Sequence, residues 1–290
     1  MIRTSRLADF LQLTKPKVTL LNLLVGVTCF VLAACPKVDW VNLVVFLAVG
    51  YSAAGGCGVL NSAYDRDIDM LMPRTAKRAI PTGHVAVNDA LALGIAMIAA
   101  SLTVSLVMFN PLTGLMIGLG VVFYVFIYTF WLKRTSPWNV VIGGFAGCFA
   151  GLSGWTAAVN TVSMMPFLIA LVGFVWTPGH LWGLAIKKIK EYKTAGIPML
   201  PVKVGLIRAS QVVFFLNLLT VVLSLVFPIL HLTGIIYLSV ALAAGSVFLF
   251  QNRGLLVSAC EEQGFRVFLF SMPYLTCLMV GLIIDKVALI

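Results

Sequence analysis

Residues 90–132 read ALALGIAMIAASLTVSLVMFNPLTGLMIGLGVVFYVFIYTFWL, without one charged side chain, and this stretch decides the fold. A helix that crosses the hydrocarbon core of a bilayer takes about 20 mainly apolar residues. The run is long enough for two such helices, and Asn110-Pro111 near its middle is a turn signal. Other charge-free stretches flank it at 18–36, 40–64, 135–186, 209–252 and 267–284. Those at 135–186 and 209–252 also hold two spans each. They break at Asn160-Thr161 before Pro166, and around Pro228, His231 and Gly234. The remaining three hold one span each. The pattern predicts an all-α integral membrane protein of about nine transmembrane helices.

Composition agrees. Hydrophobic residues make up 61% of the chain and charged ones 10%, against roughly 25% charged in a soluble domain. So much apolar surface cannot be hidden in a soluble core, and the surplus must face lipid. Met1 to Lys17 holds no apolar run before a small-residue cleavage site, so no removable signal peptide is expected. The six cysteines form no C-x-x-C pair and mostly sit in apolar runs. They read as small apolar fillers, not as a disulfide framework. No linker or low-complexity tract interrupts the chain, which predicts a single membrane-embedded domain over residues 1–290.

Orientation follows from lysine and arginine. With the N-terminus inside, all of the 20 basic residues except Lys37 and Lys286 fall on the cytoplasmic side, as the positive-inside rule requires. The net charge of +10 then reflects topology and attraction to anionic membrane lipid, with no nucleic acid as partner. Only two inner loops, about 61–89 and 187–208, have room for function. In each half of the chain a polar segment follows an even-numbered helix, a weak hint of an old duplication.

The first of those loops begins Asn61-Ser-Ala-Tyr-Asp65-Arg66-Asp67-Ile-Asp69. In a helix continued to Pro73, a step of four residues turns about 400°, so Asn61, Asp65 and Asp69 form one stripe while Asp67 points elsewhere. An unpaired carboxylate at the membrane edge is costly, and two kinds of cation could compensate. One reading is local pairing with Arg66, Arg74, Lys77 and Arg78 at a solvated helix end. The other is Mg²⁺, which takes one or two carboxylates and completes its octahedron with water and phosphate. The bases would then neutralise the remaining phosphate oxygens.

Asn61-x-x-x-Asp65-Arg66-x-x-Asp69, followed by Arg74-Thr75-x-x-Arg78-x-x-Pro81-x-Gly83, closely resembles the signature of the UbiA superfamily of intramembrane prenyltransferases. Tyr128-Thr-x-Trp-Leu-Lys133-Arg134, with Asn139-Val-Val-Ile-Gly143-Gly144 after it, is similar to the fourth-helix exit of its protoheme IX farnesyltransferase (haem O synthase) branch. Trp176-Thr177-Pro178-Gly179-His180-Leu181-Trp182 and Ala195-Gly196-Ile197-Pro198-Met199-Leu200-Pro201 resemble two further segments of that branch. With Thr14-Lys15-Pro16, the likeness covers roughly residues 14 to 205. Glu191-Tyr192 stands where Asp-Tyr is usual, and Gly179 where a proline is common.

The resemblance implies a ring of nine helices around a central cavity open to the membrane. It implies transfer of a farnesyl group from farnesyl diphosphate to the vinyl group of haem B, dependent on Mg²⁺. Asn61, Asp65 and Asp69 would hold the metal, with Glu191 as a further oxygen ligand. Arg66, Arg74, Arg78 and Lys133 would hold diphosphate, with Tyr128 beside them; Asp65, Asp69, Tyr128 and Lys133 would be the catalytic set. Trp176, His180, Trp182 and Tyr192 would meet the haem acceptor. The expected partners are farnesyl diphosphate, haem B, membrane lipid, and other haem-pathway or oxidase-assembly proteins. The expected location is the cell membrane, with the active site towards the cytoplasm.

Alternatives stay open at this point. His180 could ligate haem iron or orient the porphyrin; equally, it could be a hydrogen-bonded structural residue beside Pro178. Tyr124, Tyr128, Trp155 and Trp176 could stabilise an allylic cation or serve as packing and interface anchors. Within the superfamily the acceptor could instead be a quinone precursor, a chlorophyll-type ring or a lipid. A secondary transporter would place ionisable groups near mid-membrane, whereas the charge-free stretches here hold no carboxylate and the acids lie at helix ends beside basic residues.

Overall fold

The computed structural model describes residues 6–289, without the side chain of Arg6; Arg3, counted above with the inner charges, lies outside them. Among the described residues nine helices are long and apolar enough to cross a membrane. They are α1 (Pro16–Ala34), α2 (Trp40–Tyr64), α3 (Val87–Met108), α4 (Pro111–Thr135) and α5 (Asn139–Val159), then α6 (Met164–Lys187), α7 (Leu206–Ile229), α8 (Ile235–Val257) and α9 (Glu261–Ala288). The protein is a multi-pass integral membrane protein.

The turn signals work for identifiable reasons. Asn110 accepts a hydrogen bond from Thr113 N at 2.9 Å, and Pro111 opens α4 where its missing N–H costs nothing. Asp39 caps α2 by accepting from the amides of Val41 and Asn42, both at 3.0 Å. The six cysteines are all free.

Two elements depart from expectation. The last helix extends beyond 267–284 at both ends, and this places Asp285 inside a span. That carboxylate is 2% exposed and accepts from Gly234 N at 2.6 Å and Tyr237 N at 3.0 Å. It caps the start of α8 from a neighbouring helix, where otherwise unpaired amides stabilise its charge. The second departure is α2, which stops at Tyr64 instead of running on to Pro73. Asp65 leaves helical geometry at ψ 7°, and a short helix, Arg66–Met70, follows.

Each span packs on the next, and α9 packs on α1, so the nine close into a ring. Contacts of α1 with α5 and of α6 with α9 cross it. The α1–α5 crossing is close: a Cβ on Gly154 would lie 2.0 Å from the carbonyl oxygen of Gly26. Small residues permit such backbone approach between membrane helices. Two buried clusters position the functional end. Ile68 and Met72 pack with Ile197, Met199 and Leu200, joining the two inner loops over Val140, Trp182 and Ile186. Leu13 packs with Val59, Ala79 and Ile80, fixing the N-terminal segment against the first loop.

Candidate active site

The polar stripe survives the break in α2. Asp65 N still bonds Asn61 O at 2.9 Å and Asp69 N bonds Asp65 O at 2.8 Å, so one turn follows the other. Asn61, Asp65 and Asp69 are 3%, 1% and 2% exposed, whereas Asp67 is exposed. Asn61 Nδ2 donates to Asp65 Oδ2 at 2.8 Å and to Thr129 Oγ1 at 3.1 Å.

The cations that meet these oxygens come from three parts of the chain. Lys133, at the end of α4, pairs with Asp65 Oδ2. Lys15, just before α1, donates to Asn61 Oδ1. Arg78, from the loop after α2, pairs with Asp69 Oδ2 at 2.6 Å. Arg134 forms two 2.7 Å bonds to Asp67 and approaches Asp65 Oδ1 to 3.8 Å. The hydrogen bonds from Arg134 hold the Asp67 carboxyl down at about 2.

Lys15 and Arg134 are the site residues that sequence reasoning missed. Lys15 adopts left-handed backbone geometry, φ 51° and ψ 58°, directly before Pro16. Such strain in a non-glycine residue costs of order 1–3 kcal/mol, and it persists where surrounding contacts over-determine it. Burial, reinforced by the nearby charges of Lys133 and Arg78, lowers Lys15 to about 7, against the opposing pull of Asp65 and Asp69. The Lys-Pro pair was the available signal for Lys15. Arg134 carried none beyond adjacency to Lys133.

An unusual stretch of helix shapes the α4 side. Val122–Leu132 is a π-helix, a form often found at functional sites. Thr129 Oγ1 donates to Tyr124 O at 2.8 Å, and Lys133 N bonds Tyr128 O. The wider turn lets Tyr124 and Tyr128 pack with ring centroids 5.6 Å apart, and the Lys133 ammonium lies 6.0 Å from the centre of the Tyr128 ring.

The other expected residues are more dispersed. Arg66 bonds Ala63 O, and both Arg66 and Arg74 are exposed. Tyr192, raised chiefly by burial, lies within electrostatic reach of Tyr128, Arg74 and Lys133. Glu191 binds Lys188 at 2.7 Å through Oε1, while its buried Oε2 has no partner. Among the described residues no three Asp, Glu, His or Cys side chains converge as a metal group, so Glu191 does not join Asp65 and Asp69. His180 stacks between Trp176 and Phe268, with centroids 4.4 and 4.5 Å away. Its Nδ1 meets Ser271 Oγ at 2.6 Å, and Trp176 Nε1 donates to Ser271 O at 3.0 Å. These two residues tie α6 to α9. Trp182, 1% exposed, belongs to the packed core.

The donor set suits Mg²⁺. Two carboxylates and an amide supply hard oxygens, and buried Asp65 Oδ1 lacks any hydrogen-bond donor. Three acids face Lys133, Arg78, Arg134 and the partly charged Lys15, with Arg66, Arg74 and Lys77 exposed in the adjoining segment. The surplus positive charge calls for a further anion.

A family model described as the UbiA prenyltransferase family matches residues 20–273. The chain belongs to the UbiA prenyltransferase family. Among UbiA relatives, the protoheme IX farnesyltransferase of Trichormus variabilis is 41% identical over 97% of this chain and 89% of its own length. Protoheme IX farnesyltransferase 1 of Cenarchaeum symbiosum is 38% identical over 96% and 95%. The fold matches a UbiA homologue from Archaeoglobus fulgidus bound to DMAPP and Mg²⁺, with a TM-score of 0.75 and 20% identity over 97% of this chain and 100% of that one. It also matches a digeranylgeranylglyceryl phosphate synthase structure, with a TM-score of 0.80 and 20% identity over 98% and 100%.

Proposed function

We propose that this UbiA enzyme is a haem O synthase, transferring the farnesyl group of farnesyl diphosphate to a vinyl group of haem B. The observation that carries the site assignment is the pair of buried carboxylates, Asp65 and Asp69, set among Lys15, Lys133, Arg78 and Arg134. Full-length likeness to protoheme IX farnesyltransferases supports the choice of donor and acceptor.

Asn61, Asp65 and Asp69 would hold Mg²⁺, which when bound supplies Lewis-acid neutralisation of the diphosphate. Lys133 and Arg78 exchange part of their carboxylate contacts, and Lys15 its contact with the Asn61 amide oxygen, for phosphate oxygens, with Arg66 and Arg74 at the outer edge. Cations fixed in a low-dielectric site stabilise charge as it develops on the leaving group. The farnesyl C1–O bond breaks and its electron pair departs on diphosphate. The vinyl π electrons then form the new carbon–carbon bond, and water adds to the resulting cation with loss of a proton. Tyr124 and Tyr128 present ring faces beside Lys133, placed to stabilise the allylic cation. The apolar helices exclude water until coupling is complete. Tyr192, within electrostatic reach of Tyr128 and Lys133, would face the acceptor, and Trp176 and His180 would support it from the α6–α9 seam, while Glu191 stays apart from the Asn61–Asp65–Asp69 oxygens. The N-terminus and this face of the protein are cytoplasmic.

The test is turnover in liposomes with haem B, farnesyl diphosphate and Mg²⁺, read by mass spectrometry. The expected product is haem heavier by one farnesyl group and one water, and it disappears when EDTA removes the metal. Prenyl transfer to a different acceptor, with haem unmodified, would overturn the acceptor assignment and keep the diphosphate site.

A further inference from the structure

A second concentration of positive charge lies away from this site, between the end of α8 and the start of α9. A groove of about 350 Å³ there is lined by Phe250, Arg253, Val257, Ser258, Gln263 and Arg266, among others. Among the described residues neither guanidinium forms an ion pair with a carboxylate. The acids of the first turn of α9 turn the other way: Glu261 and Glu262 meet Lys187 of α6 at 3.8 and 3.0 Å. One side of that turn therefore carries both acids with Lys187, and the other is left cationic.

The groove is built to hold donors in place. The Arg253 guanidinium lies over the Phe250 ring, 3.8 Å from its centroid, a cation–π contact that orients its plane. Gln263 is wedged against Gly254, where a Cβ would lie 2.4 Å from Gln263 Oε1. That oxygen is buried without a partner. Arg253, Arg266, Gln263 and the Ser258 hydroxyl thus offer hydrogen-bond donors with no anion to receive them. Immediately beside them Phe250, Val257 and Phe265 are 56%, 85% and 38% exposed, a surface suited to acyl chains.

We propose that this groove binds the phosphate of an anionic phospholipid, with its acyl chains along the exposed apolar faces of α8 and α9. Basic groups at a membrane edge attract such headgroups, and the adjoining apolar surface favours a lipid over a soluble ion. The protein in detergent is incubated with equimolar phosphatidylglycerol and phosphatidylcholine, and retained lipid is read by native mass spectrometry. The wild type is expected to retain phosphatidylglycerol with a preference of roughly ten-fold or more, the scale set by two basic groups. The double variant Arg253→Gln/Arg266→Gln is expected to lose most of that preference while keeping its melting temperature. An unchanged preference in the folded double variant overturns the proposal. Should the double variant not fold, Arg266→Gln alone gives the same reading, with a preference reduced several-fold or, against the proposal, intact. In a parallel arm, inorganic phosphate in large excess is added to the wild-type complex. Displacement of the lipid, with phosphate binding the wild type and not the variant, makes this a soluble-phosphate site and removes the lipid assignment.

Discussion

At the residue scale, burial separates three aspartates that the sequence places within five positions. Asp65 and Asp69 are enclosed and oriented, while the Asp67 side chain is 57% exposed and holds Arg134 at the surface. Asp65→Ala and Asp69→Ala are expected to reduce turnover by about 10²-fold or more, the scale of losing a charge-stabilising group in a closed site, with an unchanged gel-filtration profile. Asp67→Asn breaks only an exposed pair, of the kind worth about 0–1 kcal/mol, and should leave turnover within a few-fold of wild type. Equal losses in Asp67→Asn and Asp65→Ala would sink the assignment. Thr129 is the less visible residue here. It is fully buried, accepts from the Asn61 amide and thereby turns Asn61 Oδ1 towards Lys15. Thr129→Val leaves that amide hydrogen without its partner, a cost of about 1–3 kcal/mol. kcat/KM measured across Thr129→Val and Thr129→Ser should fall about ten-fold in the first and recover in the second.

At the scale of elements, Gly179 explains a departure from the family pattern. A Cβ there would sit 2.1 Å from Asn217 Oδ1 of α7, so neither alanine nor the proline common at this position fits beside Asn217. Asn217 is itself buried and donates to Asn252 of α8 at 2.6 Å, linking α7 and α8 where Gly179 of α6 packs against it. Gly179→Ala is expected to lower thermal stability in detergent by about 1–3 kcal/mol, the usual cost of overpacking. Gly173→Ala, on the same helix with open space around the new methyl, should be neutral. Adding Asn217→Ala to Gly179→Ala should recover part of the loss, and strict additivity of the two changes would count against the contact. None of this was legible in the sequence, which registers only that a proline is missing. The nine helices and their turns were legible, because hydropathy and Asn-Pro signals act locally; the early end of α2 was not, because Asp65 departs from helical geometry where its partners converge.

At the scale of the whole molecule, the ring brings the start of α1, the ends of α2 and α4 and both inner loops to one face. The ion pairs Lys133–Asp65 and Lys187–Glu262 join helix ends across that face. With the positive-inside bias, this face is expected to be cytoplasmic. In right-side-out vesicles, with the six native cysteines replaced by serine, a membrane-impermeant thiol reagent should label a Lys37→Cys variant and spare Lys77→Cys. The reverse pattern would invert the topology and move the site to the other side.

The sequence by itself determined the number of spans, the gathering of basic residues in alternate loops and the Asn61–Asp65–Asp69 stripe. Each depends on a one-dimensional property: apolar length against bilayer thickness, loop charge, or helical period. The tertiary structure alone decided which cations meet the stripe. Lys15 and Lys133 arrive from 46 and 68 positions away, while Arg66, next to Asp65, turns back to Ala63 O. Pairing of that kind depends on the rotation and crossing of packed helices, set by contacts such as Gly26 against Gly154, which no charge count or periodicity contains.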